Sequence, residues 1–254
     1  MFKDELNLLD CLYSDAPLVL DSSSTLLFRQ AIHDETKPAY DVGIPLREYL
    51  AYRDVVKLDE TKLQWNIAGG NLSFPNTIKL TRELGRLCGI FYTYGAVDES
   101  CRAFIFSDMK DNLMDEFKEI VYKLSSSAKL IPAHDLHDSF FEIDDEYVRY
   151  LLSDVLCYKR YVYEYHIPGW YFNTNDEFLK GFIDVVSGTE GDVELCLFNR
   201  DFIEDFRLLL KRFNIDSTVE FASEGKLETY MKEKWILRYE LDWTKEKDET
   251  TEDK

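Results

Sequence analysis

Two stretches set the apolar rhythm of this chain: RLCGIFYTYGA, Arg86 to Ala96, and FLKGFIDVVSG, Phe178 to Gly188. Each is an apolar run of helical length with a small residue near its middle and a glycine or polar end. Laid over one another 92 residues apart, Leu87, Gly89, Ile90, Phe91 and Gly95 fall opposite Leu179, Gly181, Phe182, Ile183 and Ser187. A glycine inside a helix costs about 1 kcal/mol relative to alanine, so two at matching places point to close approach between helices. The chain carries a diverged internal repeat.

The pattern continues past both runs. CRAFIFS from Cys101 and VELCLF from Val193 read as strands, each followed by an amphipathic helix. The first helix turns Leu113, Phe117, Ile120, Val121 and Leu124 inward, and the second Phe202, Phe206, Leu209, Leu210 and Phe213. Thr81 caps the first apolar helix, and Thr174 or Asn175 the second. SSSAKLI and SFFEI supply further strand material, and DDEYVRYLLSDVL is a helix capped by Asp144 or Asp145. Tyr158 to Phe172 alternates, with Tyr161, Tyr163 and Tyr165 on one side. In Trp235 to Trp243 the residues Trp235, Leu237, Tyr239, Leu241 and Trp243 share a face, opposite Ile236, Arg238, Glu240 and Asp242. Ahead of the repeat, Leu26–His33 and Ile44–Val56 have helical spacing, separated by turn chemistry at Asp21–Thr25, Asp34–Pro38 and Ala68–Asn71.

LKGFIDVVS resembles the nine-residue LAGLIDADG motif of homing endonucleases and intein endonuclease domains, and LCGIFYTYG resembles its second copy. The resemblance implies an α+β, pseudo-twofold LAGLIDADG fold: two αββαββ-type repeats, saddle-shaped antiparallel sheets and two central packed motif helices, with Gly89 and Gly181 at the helix contact. It divides the chain into an N-terminal extension, 1–73, and a two-repeat domain, 74–243, with repeats at 74–166 and 167–243. A solvated tail, 244–254, follows. It also implies that the acids of a shared divalent-metal site would stand at Tyr94 and Val186. Neither a phenol nor an isopropyl group is the hard carboxylate that such an ion requires. The expectation is the scaffold without the nuclease, and with no metal or cofactor. Asp184, Asp98, Glu99 and Glu190 restore the site only through a register slip.

Charge sharpens this. With 49 acidic and 30 basic residues the formal net charge is −19, which opposes the phosphate neutralisation that sequence-independent DNA affinity rests on. An acidic surface on such a scaffold suits a basic protein partner or a nucleic-acid-processing complex, in the manner of a DNA mimic. The alternative is a regulator that still binds DNA or RNA through a local basic strip at Arg102, Lys159, Arg160, Arg200 and Arg238, with Lys110 nearby. His134 and His137, spaced i, i+3, lack the third ligand a metal site needs and read as polar loop. The five cysteines form no paired spacing and read as reduced core residues. No apolar run approaches a membrane span and the N-terminus has no signal-peptide layout, so a cytoplasmic protein with no membrane contact is expected, whether of cellular, viral or mobile-element origin. Two motif copies in one chain favour a monomer.

Overall fold

The structure is a computed structural model. It describes residues 2–11, 18–32, 43–67, 73–98, 100, 102–107, 109–133, 139–157, 166–188, 190–197, 199–227 and 230–244, without the side chains at 111 and 223–233. The extension contributes β1 (Glu5–Asn7), β2 (Leu18–Leu20), α1 (Ser22–Ile32), α2 (Leu46–Val56), β3 (Gln64–Ile67) and β4 (Ser73–Pro75), and β5 (Thr77–Lys79) follows. The run Asp21–Thr25, expected as a turn, instead opens α1. Asp21 accepts a hydrogen bond from the Ser24 amide at 2.7 Å, so the serines fill a capped first turn.

The boundary expected at 74 falls inside β4, and strands from both sides of it pair. β2, β3 and β4 form one antiparallel sheet, while β1 pairs with β5. Between them Asn76 is fully buried, accepting from Trp65 Nε1 at 2.9 Å and donating to Asn7 Oδ1 at 2.8 Å. A buried amide is tolerable only when so satisfied. Lys3 also exchanges backbone hydrogen bonds with Asn173 and Asn175, lacing the N-terminus to the start of the second repeat.

The first repeat runs α3 (Arg82–Tyr94), β6 (Gly95–Val97), β7 (Ala103–Phe106), α4 (Asp111–Leu124), β8 (Lys129–Pro132) and β9 (Phe140–Asp144), in the expected αββαββ order. Its antiparallel sheet is ordered β6-β7-β9-β8. Next, α5 (Glu146–Tyr150), capped by Asp145, runs on as a π-helical turn over Leu151–Leu156. The second repeat comprises α6 (Asp176–Ser187), β10 (Gly191–Leu197), α7 (Arg200–Arg212), β11 (Ser217–Leu227) and β12 (Tyr230–Leu241), with sheet order β10-β12-β11. Among the described residues it is one strand short of αββαββ. Gly188 ends α6 with a left-handed φ of 77° and β10 begins three residues later, leaving no room for a counterpart of β6.

The apolar faces meet in one continuous core that runs from Leu6 to Leu241, with Phe91, Phe178, Phe182 and Phe206 fully buried around the central helices. Residues 158–165, which hold Lys159 and Arg160, lie outside the described residues, as do His134, His137 and residues 245–254 of the expected tail.

Candidate functional site

Helices α3 and α6 form the centre. Thr81 Oγ1 accepts from the Leu84 amide and Asn175 Oδ1 from the Phe178 amide, so both begin on side-chain caps. A Cβ added at Gly85 would fall on the Phe178 carbonyl, and one at Gly181 on the Arg82 carbonyl. At Gly89 it would stand 2.8 Å from Val185 Cβ and 2.9 Å from the Phe182 carbonyl oxygen. Gly89 and Gly181 thus both lie in the helix contact. The contact is reciprocal in a different register, however: each of Gly85 and Gly181 meets the carbonyl three residues before the other. This pairs Gly85 with Gly181 and Gly89 with Val185, an offset of 96 residues rather than 92.

The corrected register moves the first helix by about one turn, because four residues nearly complete a helical repeat. Level with Val186 it brings Ile90, which is fully buried, and Tyr94 falls one turn beyond. Val186 and Tyr94 are both partly buried against the core. Asp184 is committed elsewhere. One carboxylate oxygen accepts from Arg82 at 2.7 Å and the other from Trp243 Nε1 at 2.7 Å, tying the start of α3 and the chain beyond β12 to α6. Of the other acids considered, Glu190 is exposed and Glu99 is outside the described residues. Asp98 is only partly exposed, and burial raises its pKa, but the Arg102 guanidinium with the amides of Ser100 and Arg102 outweighs this and holds it below the usual carboxylate range.

The outer faces of the two sheets differ. In the second sheet Val193, Leu237, Tyr239 and Leu241 point into the core. Opposite in the alternation stand Asp192, Glu194, Glu220 and Glu240, with Arg238 among them. Arg238 is 2.9 Å from Glu194 and also paired to Glu220, so its charge is met twice. Lys234 follows only beyond a bulge at Phe221/Ser223. In the first sheet Phe104, Phe106, Phe140, Ile131 and Glu142 share the outer side, with the Phe106 and Phe140 rings 5.2 Å apart.

The described members of the expected basic strip stand on separate elements. Arg102 bonds Asp98 at 2.8 Å, lies 3.5 Å from Glu142 and covers the Phe104 ring. Arg200, at the start of α7, stacks 4.7 Å over Trp235 and is 3.9 Å from Glu204. Lys110 precedes α4 and is exposed. Sequence reasoning missed Gly85, which the spacing Gly85-x-x-x-Gly89 would have revealed as a one-face small-residue pair. It also missed the Arg82–Asp184–Trp243 tie, for which no local pattern exists.

No family profile and no curated protein matches the chain. Solved structures do. Mesophilic variants of the homing endonuclease I-DmoI are similar at 13% identity over 66% of this chain and 93% of theirs, with a TM-score of 0.44. I-DmoI in complex with DNA and Mn is similar at 12% identity over 63% of this chain and 90% of that one, with a TM-score of 0.44. Its complex with DNA and Ca gives 13%, 64%, 84% and 0.43 in the same order. Each of these likenesses is to the homing endonuclease I-DmoI.

Proposed function

We propose that this chain is a degenerate member of the LAGLIDADG fold that binds without cutting, and that its ligand is a basic surface on a protein of the nucleic-acid machinery. The loss of cleavage is supported by Val186 on one helix and Ile90 or Tyr94 on the other, none of them able to hold a divalent cation, and by the double engagement of Asp184. The ligand reading is carried by one observation. The outer face of the second sheet sets four carboxylates, Asp192, Glu194, Glu220 and Glu240, around a guanidinium that two of them already pair. Such a face repels phosphates and raises the local concentration of cationic groups.

Nucleic acid is the second reading. It draws on the likeness to I-DmoI, which is seen in complex with DNA, and on Arg102 and the ring pair Phe106/Phe140 on the first sheet, where stacking and phosphate contact would meet. Fluorescence anisotropy separates the two, with one labelled Lys/Arg-rich peptide and one labelled DNA duplex in a salt series. The expected result is peptide binding at low salt that falls at least tenfold in D192N/E240Q, with no duplex binding. Duplex binding with a steep salt slope, weakened in Arg102→Ala, overturns the protein-partner reading and establishes the second. Nicking of supercoiled plasmid that requires Mg²⁺ or Mn²⁺ overturns the non-cleaving reading itself.

A further inference from the structure

The strand missing from the second repeat leaves an open place. In the first repeat β7 sits between β6 and β9, and in the second its counterpart β10 pairs with β12 on one side only. Among the described residues nothing bonds to its other edge. Burial records the difference. The inward residues of β7, Ala103 and Ile105, are fully buried, while Leu195 and Leu197 on β10 remain part-exposed although they face the core. On its outer side β10 carries Asp192 and Glu194, both exposed.

We infer that this edge receives a strand from a partner protein in which basic residues alternate with apolar ones. Backbone groups along β10 that point away from β12 supply the hydrogen-bond ladder, as in other cases of strand addition. The side-chain period of two then decides what fits. Apolar residues of the incoming strand fall beside Val193, Leu195 and Leu197 and complete the burial of the two leucines, and basic residues fall beside Asp192 and Glu194. A second copy of this chain fits poorly. Antiparallel pairing of β10 with itself about its centre sets Glu194 opposite Glu194, and like charges directly opposite are unfavourable. This inference rests on the protein-partner reading above and names the place and form of that contact.

The test is amide hydrogen exchange on the full chain, with and without a seven-residue peptide alternating Lys and Val. A peptide alternating Lys and Pro serves as control, having equal charge with every second ladder donor removed and the backbone held toward polyproline II. The expected result is at least tenfold slower exchange along Gly191–Leu197 with the Lys/Val peptide, at least tenfold weaker binding of the Lys/Pro peptide, and loss of both effects in Glu194→Lys. Equal binding of the two peptides without protection of β10 overturns the inference and leaves the acidic-face reading standing. Absence of binding by either peptide overturns both. Protection of β10 that rises with protein concentration alone makes a second copy the occupant and overturns the basic-strand inference.

Discussion

At the scale of single residues the helix contact is the most constrained feature of the molecule. Gly85 and Gly181 each stand where a methyl group would overlap a main-chain carbonyl of the facing helix, so neither neighbour can yield by a rotamer change. Overpacking of this kind ordinarily costs about 1–3 kcal/mol, against about 1 kcal/mol of helix propensity gained from alanine. A backbone neighbour places these sites at the upper end. Gly85→Ala and Gly181→Ala are each expected to destabilise by about 2 kcal/mol or more in urea titration. Gly169→Ala, with nothing within 4 Å of the added carbon, is expected to stay within about 0.5 kcal/mol. A neutral Gly85→Ala would contradict the 96-residue register. Asp205 makes a different test. Burial raises its pKa, with Asp201 adding to the shift, while the Ile167 amide and His166 oppose it. A carboxyl whose folded pKa exceeds its unfolded one contributes fully below the unfolded value, and that contribution is lost as pH rises through the folded value. Asp205→Asn, which keeps an acceptor for Ile167, is therefore expected to raise the melting temperature at pH 7. The gain should vanish near pH 3, and melts at the two pH values check it.

At the scale of elements, the parts governed by neighbours in sequence were legible. The caps Thr81, Asn175 and Asp145 and the buried faces of α4 and α7 follow from side-chain chemistry within one or two turns. The alternation in β12 was readable for the same reason. What failed depends on contacts far apart in the chain. Gly89 and Gly181 were matched because their surrounding letters agree, yet packing selects Gly85 as the partner of Gly181, and the four-residue difference is invisible without the facing helix. The missing counterpart of β6 was hidden likewise, since a matched strand does not say which place in a sheet it occupies. The candidate acids illustrate the consequence for function. Asp184 looked like a remnant of a motif, and the structure makes it a brace between α3, α6 and the end of β12. Asp184→Ala leaves Trp243 Nε1 without its acceptor and Arg82 without its closest carboxylate. A loss of about 1–3 kcal/mol is expected on thermal or urea unfolding. Under the non-cleaving reading plasmid integrity in Mg²⁺ is the same for wild type and variant, and a difference between them would mark Asp184 as catalytic.

At the scale of the whole molecule, composition announced an acidic protein without saying where the charge lies. The fold answers by concentrating carboxylates on the second sheet while turning phenylalanines outward on the first, and it pairs most of the described arginines internally. The same scale decides the standing of the first 73 residues. Their sequence has no counterpart in the repeats and reads as an appendage. In the structure β1 completes β5, β3 completes β4, and Leu6, Leu8, Phe28, Tyr49 and Trp65 belong to the same core as the central helices. Removing the extension strips these buried side chains, several of them worth about 1.5–3 kcal/mol of burial each. It also removes the Trp65 and Asn7 partners of Asn76 and leaves the backbone of Asn173 and Asn175 without Lys3. Against the 5–15 kcal/mol that holds a typical domain together, this loss is decisive. A chain beginning at Phe74 is therefore expected not to fold alone. Circular dichroism should show no cooperative melt and gel filtration an expanded or aggregated species. Adding residues 1–73 as a separate peptide should restore a transition if the strand pairings at β4 and β5 are what the truncated chain lacks. A sharp melt for the truncated chain by itself would instead make the extension a true appendage, leaving the two repeats as a self-sufficient unit.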